Sequence, residues 1–134
     1  GVHPDLVAKI TRVLDVMAAM GHPMMVSDGL RTMAQQAFLW RKGRIAGNPG
    51  PVVTNCDGIL RRSNHQMQPD TFCHAVDCCF VVDGQPSWDE SLPWEAYGTA
   101  AESEGLVWGG RFRRPDKPHV EFHALATGHE PLKV

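Results

Sequence analysis

Ala75-Val76-Asp77-Cys78-Cys79-Phe80-Val81-Val82 is the stretch that decides how this chain folds. It is a short apolar run, rich in β-branched residues, interrupted only by Asp77, and it ends at an Asp83-Gly84 turn. A run this short, bounded by turn residues, reads as a strand buried in the centre of a sheet. Asp77 is the anomaly, because a buried carboxylate is costly unless it is paired or holds a metal. A salt bridge or a hydrogen-bonded turn acid would satisfy it without any function.

Working outward from that strand, residues 4–20 read as a helix. Leu6, Val7, Ile10, Val13, Leu14 and Met17 recur at 3.6-residue spacing, Pro4 suits the first turn and Gly21 the stop. Residues 24–27 form a short apolar run before Asp28-Gly29 and read as a strand. Thr32 with Gln35 makes a capping box that opens a second helix to about Lys42. Residues 44–62 read as a long surface loop around one extended piece at 52–54. Residues 93–104 read as a third helix stopped by Gly105, and Leu106–Trp108 and 119–123 as two more strands. Helices cluster early and strands late. The expected fold is α+β, one domain over residues 1–134, with a small, mostly antiparallel sheet flanked by about three helices.

Composition narrows the function. Of 134 residues, 43% are hydrophobic and 21% charged, which is ordinary for a globular domain and excludes a disordered tail. Thirteen Lys and Arg against fifteen Asp and Glu give a formal charge of −2, which argues against a nucleic-acid partner. No run is long enough to span a bilayer, and residues 1–20 lack the apolar core of a signal peptide. A monomer without membrane attachment is the expectation. The four cysteines, Cys56, Cys73, Cys78 and Cys79, show no zinc-knuckle spacing and read as small buried residues in a reduced protein, with one disulfide left open.

The seven histidines carry more information. In a strand, His119, Glu121 and His123 share one face, unless this is simply a solvated edge strand. His65 follows a polar loop in Ser63-Asn64-His65 and alone would be unremarkable. Two histidines and one carboxylate are a usual catalytic zinc set, with the fourth position left for water. A nearby carboxylate can then take the proton of that water. Asp116, three residues before His119, is the natural base, and Glu121 is the other candidate. Arg31, just before the second helix, could grip a carboxylate as a bidentate fork, with Gln35 one turn later on the same wall. It could equally be an ordinary surface arginine. Arg61, Arg62, Arg111, Arg113 and Arg114 read as a basic rim, or as attraction to an anionic surface.

Five motifs occur in order: Ser-Asp-Gly-Leu-Arg-Thr-Met-Ala-Gln-Gln at 27–36, Ser-Asn-His at 63–65, His-Ala-Val-Asp at 74–77, Trp-Gly-Gly at 108–110 and Asp-Lys-Pro-His-Val-Glu at 116–121. Together they resemble the M15 zinc peptidases, the D-alanyl-D-alanine carboxypeptidases and L-alanyl-D-glutamate endopeptidases that include phage endolysins. The resemblance spans residues 4–123 and implies the Hedgehog/DD-peptidase fold. It implies that His65, Asp77 and His119 bind Zn2+, that Asp116 is the catalytic acid/base, and that Glu121 orients His119. It further implies that Arg31 holds a carboxylate of the peptidoglycan stem peptide, with Gln35 beside it, and that Ser63 supports the first ligand or the substrate. One departure stands out. The family's His-to-Asp spacing of seven residues is twelve here, from 65 to 77, which brings His74 close to Asp77 in sequence. Positions 74 and 77 have opposite strand parity, so His65 remains the expected ligand. The activity implied is lytic endopeptidase cleavage between L-Ala and D-Glu of the cell wall. The alternatives are a D,D- or L,D-carboxypeptidase, a non-enzymatic zinc module of the Hedgehog kind, and a metal-free binding domain.

Overall fold

The computed structural model describes residues 1–29, 66 and 72–123. Along them run α1 (Pro4–Ala19), β1 (Met24–Asp28), β2 (Ala75–Val82), β3 (Gln85–Ser87), α2 (Trp94–Ser103), β4 (Leu106–Trp108), a 3-10 turn (Gly109–Arg111) and β5 (His119–Phe122). These strands form a sheet in the order β1-β2-β5-β4, with β3 pairing the far end of β2, and every strand pair is antiparallel. The apolar stretch is thus the hub of the sheet. The architecture is α+β with two helices among the described residues. The helix expected over residues 32–42 and the extended piece at 52–54 lie outside them.

Local chemistry accounts for the ends of these elements. The His3 side chain opens α1 by accepting a hydrogen bond from the Asp5 amide at 3.1 Å, a cap that the sequence reading missed. Gly21, at φ +85°, closes the helix. The His22 amide reaches back to the Met17 carbonyl and the Gly21 amide to that of Ala18, which satisfies the last turn. Asp83 (φ 52°) and Gly84 (φ 76°) are both left-handed. Val82 and Gln85 pair directly across them, so the two residues make the tight loop whose twist suits a hairpin. The β3 arm of that hairpin went unread in the sequence because it is three residues long and contains Pro86.

One core joins both helices to one face of the sheet. Leu6, Ile10, Val13 and Met17 of α1 and Trp94, Tyr97, Ala100 and Ala101 of α2 pack with Val76, Cys78, Phe80, Leu106, Trp108, Val120 and Phe122. Val7, expected on the buried face of α1, is half exposed instead. The members of β2 and β5 in this core are the even-numbered residues. Alternation then sends the odd-numbered Asp77, His119 and Glu121 to the other face. Cys73, Cys78 and Cys79 are buried free thiols, as expected of small apolar residues. Burial pushes the Cys78 thiol up to about 12, with the Tyr97 hydrogen bond pulling the other way.

Trp108 locks β4 to α2. Its indole lies so close to Gly98 of α2 and to Gly110 of the following turn that a Cβ at either position would collide with the ring. The Arg111 guanidinium covers the same indole, 4.9 Å from the ring centroid, and pairs with Glu95 and Glu102 at 3.3 Å each. Arg111 is therefore engaged within the protein rather than standing free in a basic rim.

Candidate active site

Two adjacent strands and one tight loop build the site. In the β2–β5 register Asp77 lies directly opposite His119, and Ala75 opposite Glu121. Cross-strand partners share a face, so the interruption of the apolar run meets the histidine of the last strand. His119 Nδ1 is 3.4 Å from Asp77 Oδ1 and 4.0 Å from Asp116 Oδ2. Its Nε2 is 2.7 Å from Glu121 Oε1. The imidazole is completely buried and Glu121 nearly so, Asp77 is partly buried, and Asp116 is the most open of the four, with its side chain 38% exposed.

Burial alone would lower the His119 pKa. The hydrogen bonds to Asp77 and Glu121, together with their charges, outweigh it and raise the value from 6.5 to about 10. Without a metal, the ring is an imidazolium held between carboxylates.

Asp116 is positioned by the Trp-Gly-Gly motif. The Gly109 carbonyl accepts from the Asp116 amide at 2.8 Å, and the Trp108 indole N–H donates to the Lys117 carbonyl at 2.7 Å. The Pro118 carbonyl accepts from the Tyr97 hydroxyl at 2.8 Å and from the Cys78 amide at 3.0 Å. The Asp116 carbonyl in turn accepts from the His119 amide at 3.2 Å. A Cβ on Gly109 would run into the Asp116 carbonyl and His119, so this position must be glycine for the loop to lie against the strand. The motif was visible in the sequence, but its work as a seat for Asp116 was not.

Asp77, Asp116 and His119 each offer a ligand atom, and all three atoms lie within 4.8 Å of one another. One imidazole nitrogen among carboxylate oxygens is a donor set that suits zinc. The nitrogen facing the carboxylates is Nδ1. Glu121 accepts at the opposite nitrogen, which is how ligating histidines are commonly oriented. His74 stands apart from this group: its ring packs edge-on against Phe122 at 5.4 Å and His3 at 5.9 Å. His123, expected on the same face as His119 and Glu121, is exposed beyond the end of β5 and outside the cluster. His65, Arg31, Gln35 and Ser63 lie outside the described residues.

Comparison with known proteins agrees with this geometry. A D-alanyl-D-alanine carboxypeptidase family model of the M15 peptidases matches residues 58–122, which include β2, the Asp116 loop and β5. The fold is similar to the crystal structure of the L-Ala D-Glu endopeptidase ChiX of Serratia marcescens, with a TM-score of 0.64 and 28% identity. That match covers 95% of this chain and 84% of the other. With the motifs in order, the acid and histidine side by side and the fold in common, this chain is similar to the M15 peptidases across the segment that carries the site.

Proposed function

We propose that this protein is a zinc-dependent peptidoglycan hydrolase that cleaves the stem peptide between L-Ala and D-Glu. The observation that carries the reading is the convergence of Asp77, Asp116 and His119 Nδ1 on one side of the sheet. The likeness to an L-Ala D-Glu endopeptidase over nearly the whole chain favours this bond.

In this reading Asp77 and His119 hold the metal with His65. A bound zinc ion supplies Lewis acidity and makes water a competent nucleophile near neutral pH. Glu121 accepts the Nε2 proton of His119 and keeps the Nδ1 lone pair turned towards Asp77 and Asp116. Asp116, open to solvent at the rim, removes a proton from the attacking water and returns it to the leaving amine. Glu121, buried behind the ring on its far side, is badly placed for that exchange. Arg31 grips a substrate carboxylate with Gln35 beside it, and Ser63 supports the first ligand or the substrate. The substrate is the wall itself, so the protein acts on the bacterial cell wall as a monomer.

The family model's own description favours a second reading, a carboxypeptidase releasing terminal D-alanine. Digestion of purified peptidoglycan by zinc-loaded protein, with mass spectrometry of the products, separates the two. New D-Glu amino termini establish the endopeptidase. Free D-alanine establishes the carboxypeptidase. No product together with no bound zinc would refute both.

A further inference from the structure

A groove of about 490 Å3 opens beside the site, within the size range of small-molecule sites. Asp116 is part of its wall, with Trp88, Trp94, Glu90 and Lys117. Trp88 is 52% exposed, whereas Trp94 is buried and held by a hydrogen bond from its indole N–H to the Asp89 carbonyl at 2.9 Å. Lys117 Nζ and Glu90 Oε2 pair at 2.9 Å and set a cation and a carboxylate on the groove. A lone exposed tryptophan is common on protein surfaces. Here it borders a concavity that shares a wall with the proposed acid/base, and an exposed ion pair supplies a donor and an acceptor alongside it.

We infer that this groove binds a sugar of the glycan strand, with Trp88 stacking on a pyranose face and Lys117 and Glu90 bonding its hydroxyl or acetamido groups. An aromatic ring offers a broad apolar face to the C–H face of a sugar, while the polar pair fixes orientation. The inference rests on the L-Ala–D-Glu reading, because that bond lies one residue from the lactyl group that carries the sugar. One residue spans at most about 3.6 Å. A substrate whose scissile bond lies at Asp116 therefore brings its sugar to the immediate surroundings of that side chain. A carboxypeptidase would keep the sugar several residues away.

The test compares a disaccharide-tetrapeptide with the same tetrapeptide lacking the sugars, using zinc-loaded enzyme. The wild type is expected to show a kcat/KM at least tenfold higher for the glycosylated substrate, expressed mainly in KM. Trp88→Ala is expected to reduce that preference to within about twofold. An equal loss on both substrates, or an undiminished preference, would overturn the assignment. Titration of the wall disaccharide alone, followed by NMR, reads the groove without turnover. Saturable shifts in the wild type that vanish in a folded Trp88→Ala protein support the sugar site, and no shifts in the wild type refute it. If neither substrate is cleaved but the disaccharide binds, the cleavage reading fails and the sugar site stands.

Discussion

The two faces of the β2–β5 pair differ by one residue in sequence and by everything in chemistry. Val76 and Val120 stand opposite each other and face the helices, while their neighbours Asp77 and His119 stand opposite each other and face the site. Both pairs sit on one antiparallel ladder, in which hydrogen-bonded and non-hydrogen-bonded positions alternate. Register is therefore a functional quantity here, since a one-residue slip would drive a carboxylate into the core and a valine into the site. The apolar face supplies the energy that holds the polar face in an arrangement it would not adopt alone.

The sharpest way to break this contrast is to remove the charge from the site face. Asp116→Asn is expected to keep zinc bound, by metal analysis, and to lower kcat by about a hundredfold to ten-thousandfold, the usual worth of a general acid–base. Normal turnover in that variant would overturn Asp116 as the base. Asp77→Ala is expected to abolish both metal binding and turnover while melting cooperatively. Glu121→Gln should weaken zinc by about ten- to a hundredfold, the usual cost of losing a ligand's orienting partner, as read by competition with a chelator.

Val120→Ala probes the opposite face between two site residues. It should cost about 2 kcal/mol of stability by denaturant titration, from lost burial and the cavity left behind. Zinc affinity should change less than twofold. If it changed as much as in Glu121→Gln, the two faces would not be separable.

The smallest effect is in pH. In the metal-free protein, the folded His119 pKa of about 10 lies above the ordinary 6.5. Protonated His119 therefore contributes stability in full below about pH 6.5, and that contribution is lost as pH rises towards 10. Thermal melts of the chelated protein should fall across this window more steeply than those of His119→Gln. Zinc must displace the same proton, so its affinity should rise with pH across that range. A flat profile would mean that the ring is already neutral.

The parts legible in the sequence were those with a strong local signal. The period of Leu6, Ile10, Val13 and Met17 gave α1, and the apolar run gave β2 with Asp77 as its exception. The pairing of Asp77 with His119 could only be expected through the motifs, because 42 positions separate them and no local signal reports strand register. The 3-10 turn at Gly109–Arg111 was invisible for a different reason. Its glycines are required by an indole and a carbonyl packed against them, not by a turn type. The groove was hidden because Trp88 and Asp116 approach only after α2 and β4 have folded back between them. In the sequence Trp88 is one aromatic residue among polar neighbours.

The carbonyl of Pro118 ties helix to strand, accepting at once from the Tyr97 hydroxyl of α2 and the Cys78 amide of β2. With the Trp108 indole holding the next carbonyl back and Gly109 holding the Asp116 amide, the proposed proton carrier rides on a segment anchored at three successive residues. Such a segment has its reorganisation done before substrate arrives. On this wall the enzyme is an anvil: the peptide has to be brought into line with Asp116, and Asp116 does not travel to meet it.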